Sequence, residues 1–265
     1  MDLELAGKRA IVTGGSAGIG FKIARQFALD GIDTVVCSRS LERAVAAIER
    51  MDVTDGGRLI PGQVELRDAD SIRAMVETAA SELGGIDILV NSGAEVSGNV
   101  SEDFANITDE FILSSFEDKF IGSLRMCRAV LPHMRENRFG RIINIAGHTA
   151  REAGSISAGA RNAAVINLTK ALSMEFGRDG ITVNAILPFT TVTDELETRL
   201  ERMAERHHAT PEAHLAKISN RTSLGRLVTA EEIAYFVTFL ASPRSIGLTG
   251  EAVALTGGVD TAVYF

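Results

Sequence analysis

Short apolar runs alternate with amphipathic helical stretches along the whole chain. Arg9–Thr13 (Arg-Ala-Ile-Val-Thr) is an apolar run of strand length, and residues 19–30 behind it carry apolar positions at helical spacing. The same pattern predicts strands over residues 34–37, 63–66, 86–90, 141–145, 182–186 and 252–255. Between them it predicts helices over 41–51, 71–83, 108–134, 158–176, 194–207 and 231–240. Strands rich in Val, Ile and Leu without polar alternation are buried on both faces, which points to a parallel sheet covered by helices on each side. The expected fold class is therefore α/β, a doubly wound parallel sheet. No internal repeat, low-complexity tract or linker breaks the pattern, so residues 1–265 read as one domain.

Composition narrows the partners. Apolar residues are 45% of the chain, enough for a sizeable core, and the net charge is -8. An acidic surface repels phosphate backbones and anionic lipid, so neither nucleic acid nor membrane is an expected partner. Cys37 and Cys127 are too far apart for a disulfide framework or a metal site, and read as buried thiols in a reducing cytosol. The segment Met1-Asp2-Leu3-Glu4-Leu5-Ala6-Gly7-Lys8 has no basic start and no long apolar run, so no signal peptide or membrane span is expected. His207, His208 and His214 lack a metal-ligand spacing, and no metal is expected.

The first strand runs into Thr13-Gly14-Gly15-Ser16-Ala17-Gly18-Ile19-Gly20 and then a helix. Glycines here permit a tight turn, let backbone N–H groups approach a pyrophosphate, and aim the helix N-terminus at its charge. With a strand before it and a helix after it, the turn reads as a dinucleotide site of the Rossmann type.

The spacing Thr-Gly-x-x-x-Gly-x-Gly resembles the short-chain dehydrogenase/reductase family. Asn91-Ser92-Gly93-Ala94 stands where that family has Asn-Asn-Ala-Gly. Gly140-Arg141-Ile142-Ile143-Asn144-Ile145 is similar to its fifth strand, and Val183-Asn184-Ala185-Ile186-Leu187-Pro188 to its sixth. Leu224-Gly225-Arg226, Glu231-Glu232-Ile233-Ala234 and Leu248-Thr249-Gly250-Glu251 match its C-terminal third. The resemblance implies that Gly14, Ser16, Gly18, Ile19, Gly20, Asn91, Gly93, Pro188 and Thr193 line a nicotinamide dinucleotide, and that Glu65 and Leu66 meet its adenine. Cys37-Ser38-Arg39-Ser40 closes the second strand without a carboxylate. Ser38 and Arg39 suit a 2′-phosphate, so NADP(H) is expected over NAD(H). A tetramer built on the helices at 108–134 and 158–176, a small-molecule substrate and a substrate lid at 190–221 are further implications.

Family members use an Asn-Ser-Tyr-Lys tetrad. Counting from local motifs, the resemblance puts the tyrosine position at Ala158, the lysine at Asn162, the asparagine at Lys119 and the serine at Gly147. Asn and Lys thus stand exchanged between two helices, and Lys119 and Asn162 are expected to be neighbours, the Asn162 amide oxygen accepting from the ammonium directly or through water. Phe189 replaces the family glycine after Pro188. His148 follows the serine position and could move a proton near neutral pH; Ser155 and Ser157 lie near the missing tyrosine, and Arg161 could bind an anion. Three functions follow from this pattern. One is an NADP(H)-dependent oxidoreductase of carbonyls or alcohols with an altered proton relay through Lys119 or His148. Another is a non-redox enzyme, a lyase, isomerase or dehalogenase; the dehalogenases resembling this family lose the glycine turn and keep a tyrosine, the opposite of this chain. The third is a protein that holds NADP(H) without turnover.

Overall fold

The computed structural model describes residues 2–93, 104–153, 155–206, 209–259 and 261. Seven strands form a parallel sheet in the order β3-β2-β1-β4-β5-β6-β9. They are β1 (Arg9–Thr13), β2 (Asp33–Ser38), β3 (Leu59–Gln63), β4 (Ile88–Asn91), β5 (Gly140–Ile145), β6 (Ile181–Pro188) and β9 (Ala252–Leu255). A second parallel pair, β7 (Thr191–Val192) and β8 (Val228–Thr229), lies beyond the end of β6. The helices are α1 (Gly18–Leu29), α2 (Leu41–Met51), α3 (Ala69–Leu83), α4 (Asp109–Phe116), α5 (Gly122–Glu136), α6 (Ile156–Phe176), α7 (Leu196–Arg206), α8 (Pro211–Ser219) and α9 (Ala230–Ala241).

Strand alternation divides the core in two. Ala10, Val12, Ile88, Val90, Ile143 and Ile145 point into a cluster shared with α1, α2 and α9. Their neighbours Ile11, Leu89 and Ile142 point the other way, into a cluster with α3, α5 and α6. Cys37 and Cys127 are buried free thiols in the second layer. Among the described residues no helix is long and apolar enough to cross a membrane, and no cluster of His, Cys, Asp and Glu could hold a metal.

The sheet departs from the sequence pattern at its edge. The third strand is Leu59–Gln63, not 63–66. Pro61 and Gly62 disfavour a strand reading, yet β3 is an edge strand, where a missing N–H costs no ladder bond. Helix α8 and the pair β7–β8 were not foreseen, because they are too short to show a period. The expected helix over 108–134 begins as read, with Thr108 capping α4, but a π-helical turn, Glu117–Ile121, separates α4 from α5.

Candidate functional site

The glycine turn is built by close approach. Gly14 has φ +64°, and a Cβ on it would lie 2.7 Å from the Gly93 Cα. A Cβ on Gly20 would collide with the Gly14 carbonyl oxygen. Thr13 Oγ1 accepts from the Ser92 and Gly93 amides (3.1 and 3.0 Å), fastening the loop after β4 beside the turn. Side chains cap α2, α3, α4, α6, α8 and α9, but Ala17 gives α1 no such cap. The first N–H groups of α1 therefore stand open toward the turn, the arrangement that suits a pyrophosphate. Ile19 is half-buried behind them against the first core cluster.

The other expected cofactor residues gather around this turn. Ser16 Oγ donates to Ser38 Oγ at 3.4 Å, so two hydroxyls meet at the end of β2. Arg39 is exposed there, its carbonyl accepting from Gln63 Nε2 (3.0 Å). Thr193 lies against Gly18, 3.9 Å from where a Cβ would stand. Pro188 is the last residue of β6. Leu66 packs toward Gly93 and Gly122. Glu65 is exposed, and one of its oxygens accepts from the Arg67 amide (3.1 Å), closing a local turn. Asn91 is buried: its amide nitrogen donates to Asn144 Oδ1 (2.9 Å), and Asn144 Nδ2 in turn donates to Thr169 Oγ1 (2.9 Å). This chain ties β4 and β5 to α6. Neither it nor the Thr13 clamp was read from the sequence, since each joins residues distant along the chain.

The residues expected at the reaction centre come together where β5 ends. Lys119, on the π turn, donates from Nζ to the Ala146 carbonyl (3.0 Å). Gly147 follows, and a Cβ on it would meet Asn162 Nδ2 at 2.7 Å. Lys119 and Asn162 therefore converge on one turn, Ala146–Gly147. Of the two forms expected, direct or through water, the direct bond is not formed: Asn162 turns its amide nitrogen to Thr149 Oγ1 (2.8 Å), and its buried Oδ1 accepts nothing among the described residues. Burial, with the nearby Arg161 guanidinium second, brings the Lys119 pKa down to about 7. Arg161 donates to Ser115 Oγ at 2.7 Å. Ser155 caps α6 by accepting from the Ala158 amide. Ser157 is buried.

His148 opens a short 3-10 turn, is 4% exposed, and meets the Phe189 ring edge-on at 6.1 Å. The Arg221 guanidinium lies over the other partner of that contact, 4.9 Å from the Phe189 centroid, and pairs with Glu152 (2.5 Å). Phe189, Leu196 and Leu215 pack against Leu200, Ile218 and Leu227 in a small separate cluster. Ala94, His207, His208 and Tyr264 lie outside the described residues.

Comparison with known proteins agrees with this geometry. Residues 14–260 match the family described as enoyl-(acyl carrier protein) reductase. The chain is 33% identical over 259 residues to the 3-oxoacyl-(acyl-carrier-protein) reductase of Vibrio harveyi, covering 97% of this chain and 99% of that one. It is similar to the L-sorbose reductase of Gluconobacter frateurii, solved with NADPH and L-sorbose, with TM-score 0.90, 28% identity, and coverage of 99% and 100%. It is likewise similar to an actinorhodin polyketide ketoreductase variant solved with NADPH, with TM-score 0.87, 30% identity, and coverage of 96% and 98%. A seven-stranded parallel sheet, the glycine turn packed on the loop after β4, and a match over nearly the full length place this chain in the short-chain dehydrogenase/reductase family.

Proposed function

We propose that this chain is an NADP(H)-dependent oxidoreductase that interconverts a small-molecule carbonyl and its alcohol, with Lys119 in place of a tyrosine as the proton-bearing group. The observation that carries the reading is the Lys119 ammonium at the end of β5, bonded to Ala146 and brought to near neutrality. A general acid works best with a pKa near the working pH. The chain has two tyrosines; Tyr235 is 60% exposed on α9, and Tyr264 is outside the described residues. This supports reading Ala158, Asn162, Lys119 and Gly147 as the tetrad positions.

The residues present fit the cofactor. The open N-terminus of α1 and the glycine cradle suit its pyrophosphate, and the Ser16–Ser38 pair with Arg39 suits a 2′-phosphate, with no carboxylate at the end of β2 to repel it. NADPH in the two solved relatives supports the same choice. When bound it supplies the hydride. The protein's part is position and proton: Asn91, Gly93, Pro188 and Thr193 border the nicotinamide end, and Lys119 donates to the carbonyl oxygen in reduction. Asn162 holds the Thr149 turn, and His148 with Phe189 forms a wall of the substrate pocket. Residues 190–221 serve as the lid within one functional unit. Buried free thiols fit a reducing cytoplasm. The exposed small residues Ala163 and Ala171 and the exposed Met174 on α6, beside a groove of about 440 Å³ lined by Leu124, Leu131, Leu172 and Phe176, fit a homotetramer interface.

The test follows NADPH absorbance with a panel of ketones. Turnover is expected, and Lys119→Met abolishes it while leaving NADPH binding intact. Full activity in that variant moves the reaction centre elsewhere, with His148 next to be replaced. Tight NADPH binding with no turnover on any ketone would favour a silent binding protein.

A further inference from the structure

Lys119 sits on a π turn, a rare single-turn conformation inside a helix, whose surroundings here fasten it. Those surroundings come from the loop that follows β3. Arg67 grips Asp118 with two bonds, Nε to Oδ1 at 2.5 Å and Nη2 to Oδ2 at 2.8 Å, and also reaches Ser114 Oγ at 2.6 Å. Arg125, in the first turn of α5, donates to Glu117 Oε1 (2.5 Å) and to the Arg67 carbonyl (2.9 Å). Gly122 completes the seam, since a Cβ there would lie 3.1 Å from the Leu66 Cβ. Successive residues of one turn therefore face opposite ways. Glu117 and Asp118 are fastened to the Leu66–Arg67 loop, and Lys119 reaches across to Ala146.

We propose that Asp118, held by Arg67, is a positioning residue that fixes the π turn and so delivers the Lys119 ammonium to the Ala146 carbonyl. This rests on the reading of Lys119 as the proton-bearing group. Asp118 is 7% exposed, and a buried carboxylate requires a partner. Arg67 meets that need, which keeps the Asp118 charge from being balanced by its neighbour Lys119. The charged groups around the turn are Glu117 and Asp118 on it, Glu65 and Arg67 from the loop after β3, Arg125 from α5, and Arg161 from α6; His148 lies two residues beyond Ala146. Removing the Arg67 side chain breaks the clamp and releases Lys119 toward water, which favours the ammonium. Removing the Asp118 charge breaks the same clamp and favours the ammonium likewise.

The chain has five lysines, so a ¹³Cε-lysine-labelled protein gives a countable NMR spectrum in which Lys119→Met assigns the resonance of interest. The expected wild-type midpoint for Lys119 is near neutral. Arg67→Met and the near-isosteric Asp118→Asn are each expected to raise it by about one unit. Arg67→Lys, which keeps the charge, is expected to stay near wild type, and with Asp118→Asn it decides the matter if Arg67→Met does not fold. An unmoved midpoint, or a shift of the opposite sign, in Asp118→Asn or folded Arg67→Met overturns the clamp while leaving the Lys119 reading in place. A wild-type Lys119 that titrates at its ordinary value overturns that reading and the clamp with it.

Discussion

At the scale of single residues, the site turns on the cost of burying one ammonium. Lys119 titrates near 7 because it is desolvated and faces Arg161. If it donates the proton in carbonyl reduction, kcat/KM for reduction should fall as pH rises through about 7. A profile flat across that range would exclude Lys119 as the donor. Stability carries the same signature with a definite sign. The folded pKa lies below the unfolded one, so between them the unfolded chain binds the extra proton and stability rises with pH. The penalty is fully present below about 7 and gone above the ordinary lysine value of 10.5. Lys119→Met should therefore raise the unfolding free energy at pH 6, by on the order of a few kcal/mol and visible as a rise in Tm, and much less at pH 10; equal shifts at both pH values would contradict this. Cofactor choice is also a residue-scale matter. Arg39→Ala should weaken NADPH binding by about 10- to 150-fold while leaving NADH nearly unchanged, since a charge-assisted contact to a phosphate contributes about 1.5 to 3 kcal/mol. Calorimetric titration with both nucleotides reads that ratio. That Ser38 and Arg39 stand at the end of the second strand was legible in the sequence, because strand ends are local. The Lys119 bond to Ala146 was not, because it joins positions brought together only by the sheet.

At the scale of elements, the glycine turn is rigid by exclusion. Gly20→Ala places a methyl on the Gly14 carbonyl, so it should destabilise by several kcal/mol and abolish NADPH binding. A folded variant with unchanged affinity would mean the turn can yield. Helix α9 is anchored by a capping box, in which Thr229 Oγ1 accepts from the Glu232 amide and Glu232 Oε2 from the Thr229 amide (3.2 and 2.8 Å). Thr229→Ala should cost about 1 kcal/mol, seen in a urea midpoint. The helical period announces α4, the π turn and α5 together as one helix. One added residue in a helical turn leaves the period almost intact, while it turns Lys119 toward β5 and Asp118 toward Arg67. Likewise β3 hides behind Pro61, a residue that only an edge position tolerates.

At the scale of the whole molecule, the exposed face of α5 and α6 is the surface to test. Light scattering at micromolar concentration should give a tetramer mass, and Leu172 is buried beneath that face, so Ala171→Glu on its exposed surface should shift the mass downward without unfolding the chain. A monomer mass for the unaltered protein would refute the interface. The sequence by itself determined the layered sheet, since buried strands and amphipathic helices are written in the local order of apolar residues. It also determined the phosphate turn, because glycine spacing acts within one strand–helix junction. Only the tertiary structure decided what stands around Lys119. The meeting of the π turn with Ala146, the grip of Arg67 on Asp118, and the packing of Arg221 and His148 against Phe189 each join segments far apart in the chain. Such contacts depend on strand order and crossover packing, which place side chains in three dimensions and leave no periodic trace along one.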